Sequence, residues 1–279
     1  MKIFLTGHAG FIGRHVEQRL SDQYDVVRYN RYQNITDRLH ITQPNIIINC
    51  AAEIRDATSM YRSNVDLTQQ ILQYCKQFPK TCFIHLGSSS EYGTHNQATA
   101  ENCGLAPSGL YAATKAAASL LCQAWAKTWN LDVTVLRPYS PYGAGDRSHR
   151  LFSKLWRAFA YQEPMQLSQG VHDWIYVSDV VDAVEAVLQG SREPGEILNV
   201  GSGQQTSNLA ILETWQSITG VAAPVEVQEQ MSTPPVWCAD IGRIKQRHGW
   251  LPKIDLRHGI QALINLQSQI DGFIPSWVK

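Results

Sequence analysis

The chain has 279 residues, 44% of them hydrophobic, and its 24 Lys plus Arg are matched by 24 Asp plus Glu. That length suits one large domain with an appended lobe, and the zero net charge gives no global field that would recommend nucleic acid or an anionic membrane as partner. Cys50, Cys75, Cys82, Cys103, Cys122 and Cys238 form no CxxC pair and no zinc-like spacing, so reduced thiols, no metal and a cytoplasmic location are expected, and no leader-like or membrane-spanning apolar run is found.

Short apolar runs alternate with helix-like runs, the pattern of a parallel sheet covered by helices. The predicted class is α/β, a Rossmann doubly wound parallel sheet with a smaller C-terminal substrate-binding lobe. The first strand, Lys2 to Thr6, ends in Gly7-His8-Ala9-Gly10-Phe11-Ile12-Gly13 and opens into a helix from Phe11 to Leu20. Glycines at this spacing permit a tight turn, close approach of backbone to a pyrophosphate and close helix-sheet contact, while free N–H groups of the helix start face the phosphates. Gly7, Gly10, Phe11, Ile12 and Gly13 are therefore assigned to a dinucleotide.

The second strand, Asp25 to Tyr29, lacks the terminal acid that would hold a free ribose 2′-hydroxyl. Arg28 or Arg31, helped by Arg14, could pair with a 2′-phosphate, whereas Asn30 and Asn34 offer an NAD ribose and adenine hydrogen bonds. NADP(H) is favoured over NAD(H). A strand from Asn45 to Asn49 and a helix from Tyr61 to Phe78 follow.

The strand Cys82 to Leu86 runs into Gly87-Ser88-Ser89-Ser90. Substrates in open α/β sheets bind at the carboxyl ends of strands. Ser88 there can hydrogen-bond a reacting oxygen, with Ser89 and Ser90 as further substrate contacts. The next helix, Leu110 to Trp129, carries Tyr111 and Lys115 one turn apart on one face. An ammonium beside a phenol favours the phenolate, so the pair can move a proton near neutral pH.

The strand Val133 to Leu136 completes this series, and beyond Asp146 the alternation loosens into a helix and loop from His149 to Gln169. A helix from Ser178 to Gln189, capped by Ser178 or Asp179, and a strand from Ile197 to Val200 return to the sheet. The tail from Val221 holds the pair Pro234-Pro235 and amphipathic stretches at Ile241 to His248 and Leu256 to Ile270. The division expected is residues 1–147 as the NAD(P)-binding unit, with 171–203 returning to it, and 148–279 mainly as the substrate lobe.

Further segments join these in order: Asn49-Cys50-Ala51-Ala52, Asn64-Val65, Leu136-Arg137-Pro138-Tyr139-Ser140-Pro141-Tyr142-Gly143, His172-Asp173-Trp174-Ile175-Tyr176-Val177-Ser178-Asp179 and Asn199-Val200-Gly201-Ser202-Gly203. With the glycine turn and the Tyr111/Lys115 pair, the chain resembles, nearly end to end, the extended short-chain dehydrogenase/reductase family, within it the NAD-dependent epimerase/dehydratase group acting on nucleotide sugars. The resemblance implies that Tyr111 exchanges a proton with a sugar hydroxyl or ketone while a hydride passes to or from the nicotinamide. It implies that Lys115 also bonds the nicotinamide ribose, that Ser88 is the catalytic Ser/Thr, that Ala51 and Ala52 lie along the cofactor, and that Pro138 lies near the nicotinamide. The expected partner is a nucleotide sugar.

The chain also departs from that pattern. Dehydratases of the group carry a carboxylate two residues after the catalytic Ser/Thr, where this chain has Ser90, so dehydration is disfavoured; Glu91, one place on, could reach the site but reads rather as structural or solvent-facing. Epimerase-reductases of the group carry a cysteine at the Ser90 position and a histidine matching His149; here His149 could bind phosphate, cap its helix or act in catalysis. Ser140 stands where an asparagine is common and His172 where an arginine is, which leaves the diphosphate to Arg147, Arg150 or Arg243. The function expected is a 4-ketoreductase, with an NAD-retaining epimerase, a small-ketone reductase and a non-catalytic sensor as alternatives. Apolar outer positions of two long helices, Ala117, Leu121, Ala124 and Trp125 among them, suggest the homodimer that the resemblance also implies.

Overall fold

The computed structural model describes residues 1–229 and 235–277, so Pro234 of the proline pair lies outside the described residues. Six strands build the main sheet: β1 (Lys2–Thr6), β2 (Asp25–Arg28), β3 (Ile46–Asn49), β4 (Cys82–Leu86), β5 (Val133–Pro138) and β10 (Glu196–Val200). All pair in parallel, in the order β10-β5-β4-β3-β1-β2. The strand order reverses beside β1, so the crevice at that switch point lies outside the carboxyl ends of β1 and β3, where α/β sheets take ligands.

Period-two alternation sends side chains from each strand into two cores. Ile3 and Leu5 of β1 and Ile84 and Leu86 of β4 pack under α1 (Phe11–Leu20) and α7 (Val177–Gln189). Phe4 and Phe83 pack on the other face under α2 (Ile35–Thr42), α4 (Leu67–Gln77) and α5 (Leu110–Trp129). Burial on both faces is why these strands read as continuous apolar runs rather than alternating ones.

The helix expected from Tyr61 to Phe78 is three pieces: α3 (Ala57–Tyr61), a π-helical stretch Arg62–Asp66, and α4. The wider turn places Asn64 so that its Nδ2 donates to Glu53 O (3.0 Å) and Thr114 Oγ1 (2.9 Å), while its Oδ1 accepts the Glu53 N–H (2.8 Å). A side chain thereby fastens the loop after β3 to α5, the kind of functional irregularity that π-bulges supply.

The remaining elements build a second body. These are β6 (Ser140–Tyr142), α6 (Leu151–Tyr161), β7 (Met165–Leu167), β8 (Val171–His172), β9 (Trp174–Tyr176), β11 (Thr206–Ser207), α8 (Asn208–Thr219), β12 (Val225–Val227), α9 (Gly242–His248) and α10 (Leu256–Asp271). Phe152, Trp156, Phe159, Trp215 and Ile264 form its separate core. From α9, however, Ile244 packs with Trp250 into the core of the main sheet.

Neither Ser178 nor Asp179 caps α7; Tyr176 holds that position. Asp179 is buried at 1% exposure and accepts the Ile254 N–H at 3.0 Å, so it ties the chain before α10 to α7. Among the described residues, no helix is long and apolar enough to cross a membrane, and no three metal-binding side chains gather.

Candidate active site

At the switch point, the backbone itself makes a cradle. Gly7 adopts φ +69°, and a Cβ on it would stand 2.5 Å from Ala51 N, so two loops touch backbone to backbone. At Gly13 a Cβ would meet Gly7 O at 2.0 Å, which is how α1 comes so close to β1. The α1 N-cap is Gly10, no side chain caps it, and its first turn holds no acid. Its early N–H groups, those of Phe11 and Ile12 among them, therefore have no side-chain partner, and the helix dipole adds to their pull on an anion. A pyrophosphate fits such a cradle.

Ala51 and Ala52 are half-buried beside this turn, and Pro138 is buried at the end of β5. Below them Asn49, at 1% exposure, accepts from Thr6 Oγ1 (2.6 Å) and from Ala51 N–H (3.2 Å), and bonds Thr68 Oγ1 (3.3 Å) and His85 Nδ1 (3.1 Å). This buried polar network ties the loop after β3 to β1, β4 and α4, with His85 Nε2 left without a hydrogen-bond partner among the described residues.

The adenosine end is less ordered by partners. Arg31 is exposed just past β2, its guanidinium 5.5 Å from the Tyr32 ring centre. Arg28 instead forms an ion pair with Glu17 of α1, which already answers its charge. Arg14 donates to Gly10 O at 3.3 Å and lies against Gly145, not at the end of β2. Asn34 serves as the N-cap of α2, accepting the Asp37 N–H at 3.2 Å.

Past β4, Ser88, Tyr111 and Lys115 come together. Ser88 caps a short 3-10 turn, Ser89–Glu91, and its hydroxyl is 2.8 Å from the Ser90 hydroxyl. Ser89 is buried at 4% exposure. Lys115, at 1% exposure, donates from Nζ to Leu86 O at the end of β4. Burial pulls its pKa below the ordinary lysine value, partly offset by Glu91. Burial also raises the Tyr111 phenol, while a hydrogen bond with Ser88 and the nearby Arg150 and Arg147 charges act the other way. A phenol next to a dry ammonium can hold and release a proton, which is the chemistry the arrangement allows.

Glu91 is the residue that sequence reasoning placed most loosely. It is fully buried and paired with Arg137, Nε to Oε2 at 2.7 Å, so it cannot serve as an exposed acid. The available signal was an arginine inside the otherwise apolar strand β5, because a buried guanidinium requires a buried partner. Removing either partner alone would strand the other charge, at a cost of about 3–5 kcal/mol.

Facing this surface is a cationic rim. Arg55, in the loop after β3, donates from Nη2 to His149 Nδ1 at 2.5 Å. Desolvation, followed by the Arg55, Arg150 and Arg147 charges, holds the imidazole below its ordinary pKa. His149 does not cap α6; Arg150 occupies that position. Glu53 spends its carboxylate on the N–H groups of Ile54, Arg55 and Asp56, while Asp146 lies 3.4 Å from Arg150. Arg55 carried no signal in sequence, since only the fold brings it within reach of His149.

Arg243 is drawn off to Glu101 at 3.5 Å and Ile197 O at 3.3 Å, so its charge is answered there. Ser140 N–H donates to Asp173 O at 3.0 Å, which joins β6 to the loop between β8 and β9. His172 is half-buried, its ring centre 5.0 Å from that of Trp174 and 6.3 Å from that of Trp237.

The model of the NAD dependent epimerase/dehydratase family matches residues 3–201. The uncharacterized UDP-glucose epimerase YtcB of Bacillus subtilis is 25% identical over 93% of this chain and 96% of its own length. A dTDP-glucose 4,6-dehydratase of Haemophilus influenzae is 24% identical over 95% and 97%. Among solved structures, the UDP-glucuronic acid 4-epimerase of Bacillus cereus with UDP-glucuronic acid and NAD has a TM-score of 0.86 at 24% identity, covering 97% of this chain and 100% of that one. RMD of Pseudomonas aeruginosa, complexed with NADPH, has a TM-score of 0.83 at 23% identity over 96% and 99%. The chain belongs to the NAD dependent epimerase/dehydratase family, a family of enzymes.

Proposed function

We propose that this family member transfers a hydride at a carbon of a nucleotide-activated sugar as a 4-ketoreductase, with Tyr111 moving the accompanying proton. The observation that carries the reading is the buried Lys115 one turn from Tyr111, beside Ser88, with Ser90 and a locked Glu91 where elimination of water would need a free acid. When bound in the glycine cradle, a nicotinamide dinucleotide supplies the hydride. Ser88 Oγ would hydrogen-bond the reacting oxygen, the Tyr111 hydroxyl would give it a proton, and Lys115 would stabilise the phenolate left behind. Arg147 and Arg150 would meet the diphosphate, with Ser89, Ser90, Ser140 and His149 as further substrate contacts.

For the cofactor, the exposed Arg31 and the absence of an acid at the end of β2 favour NADPH. A second reading, an epimerase that keeps NAD bound, is favoured by the pairing of Arg28 with Glu17, which leaves one arginine for a 2′-phosphate. A reductase releases its oxidised cofactor every turn. The purified enzyme should therefore carry little NAD after denaturation and oxidise NADPH in step with a 4-keto nucleotide sugar. Arg31→Ala should weaken NADPH by about ten- to a hundredfold. Stoichiometric NAD, with sugar interconversion needing no added cofactor, would decide for the epimerase.

The same reading assigns 1–147 with 171–203 to the cofactor and 148–279 mainly to the substrate. It includes a homodimer through α4 and α5, where Leu120 is 52% exposed and Ala124 is exposed beside half-buried Leu121 and Trp125. A monomer by light scattering at micromolar concentration would exclude that arrangement.

A further inference from the structure

Behind Ser88 and Tyr111 lies a charged pair that the reaction above does not use. Glu91 is 0% exposed, and both its oxygens are engaged: Oε1 accepts the Ser88 N–H (2.7 Å) and the Ser119 hydroxyl (2.9 Å), and Oε2 accepts the Arg137 Nε–H (2.7 Å). Arg137 is 1% exposed, its guanidinium 4.5 Å from the centre of the Tyr92 ring. Well-packed apolar residues of the same volume often stabilise a fold as well as a buried pair or better. The reason for keeping this one lies in what it touches.

It touches the reacting surface in two ways. Mechanically, Glu91 completes a capping box with Ser88, fixing the peptide from which the Ser88 hydroxyl projects. Electrically, it stands among few charges. Tyr111 stands one helical turn from Lys115 on α5. Besides burial and Ser88, its phenol feels Glu91, which raises it, and Arg150 and Arg147 from the chain before α6, which lower it. Lys115 feels the same Glu91, which is paired with Arg137 of β5. Around Lys115 the other titratable groups are neutral. Burial pushes the Cys50 thiol up to about 12 and raises Cys122 as well, and it holds His85 well below its ordinary value. Burial raises the Glu91 carboxyl, and the Arg137 and Lys115 charges pull it back, so one acidic group sits between two dry cations.

We propose that Glu91 and Arg137 are positioning residues, a buried counter-charge pair that fixes Ser88 and sets how strongly Lys115 favours the Tyr111 phenolate. Glu91 competes with the phenolate for the Lys115 charge, and Arg137 limits that competition. The two residues thus act on Tyr111 with opposite sign, which a merely structural pair would not do. The inference rests on Tyr111 as the proton-transferring group.

The test is a titration of phenolate absorbance in the full-length enzyme with oxidised cofactor added, subtracting the same titration of Tyr111→Phe. It needs no substrate. Glu91→Gln keeps an oxygen for the Ser88 N–H and removes the negative charge, so the Tyr111 titration should move down by about one pH unit. Arg137→Met leaves Glu91 unopposed and should move it up by about as much, whereas Arg137→Lys, which keeps the charge, should leave it in place. Shifts in the same direction for Glu91→Gln and Arg137→Met, or no shift for Glu91→Gln, overturn the proposal. If thermal melting shows Arg137→Met unfolded, Glu91→Gln and Arg137→Lys carry the test alone, and equal shifts in those two overturn it. Wild-type turnover by Tyr111→Phe would overturn the proposed function instead, whatever the titrations give.

Discussion

Lys115, Glu91 and Arg137 are 1%, 0% and 1% exposed, whereas Arg55, Arg147 and His149 on the facing rim are all exposed. On the first side each charge has a fixed partner in a dry setting, so its field is strong and is set when the chain folds. On the second, guanidiniums outnumber carboxylates and meet solvent, so their field is screened and their geometry can adjust to a ligand. Under the proposed function the contrast is a division of labour: the buried side would do chemistry that tolerates no displacement, and the rim would attract and orient an anionic substrate.

The largest effect that would test this division is at Tyr111. Tyr111→Phe should lose about two to four orders of magnitude in kcat while cofactor affinity stays near wild type; steady-state rates with cofactor binding measured alongside decide it. Arg150→Ala and Arg147→Ala should instead raise KM by about ten- to a hundredfold with little change in kcat, an effect that shrinks as salt is added. A fall in kcat at constant KM would place these arginines on the chemical side.

A smaller effect concerns stability and acid. His85 is wholly buried and neutral, kept so by desolvation and by the Lys115 and Arg137 charges. The unfolded imidazole takes up a proton at about pH 6.5 while the folded one resists it. The unfolded chain therefore binds more protons on acidification, and stability falls as pH drops below about 6.5. His15 and His172, also depressed by burial, add to the same slope. Melting temperatures across that range should fall less in His85→Gln than in the wild type. Smallest of all, Arg55→Ala and His149→Ala should leave Tm within about 2 °C of wild type, since an exposed pair contributes little to folding; a large drop would show that the rim is structural.

Much of the sheet was legible because its strands are short, apolar and bounded by turns. The first strand, Lys2 to Thr6, and the helix Phe11 to Leu20 have the expected bounds, and the second strand ends one residue earlier, at Arg28. Less legible was α2, whose β-branched Ile35, Thr36, Ile41 and Thr42 weaken the helical pattern, although Asn34 followed by Asp37 carries a cap. The two- and three-residue strands β6 to β9, β11 and β12 hold too few residues for any periodicity to show.

What the sequence determined by itself was whatever depends on local spacing. The glycine turn needs residues without a Cβ at fixed intervals, and Tyr111 and Lys115 share a face because four residues make about one helical turn. These features keep their meaning wherever the chain goes. The pairing of Glu91 with Arg137, of Arg28 with Glu17, and of Arg55 with His149 was decided by the tertiary structure alone, across sequence separations of 46, 11 and 94 residues. A charge in a sequence has no sign of its partner. Burial and proximity, which exist only once the sheet has closed, decide whether it stays a solvated surface group or becomes part of a site.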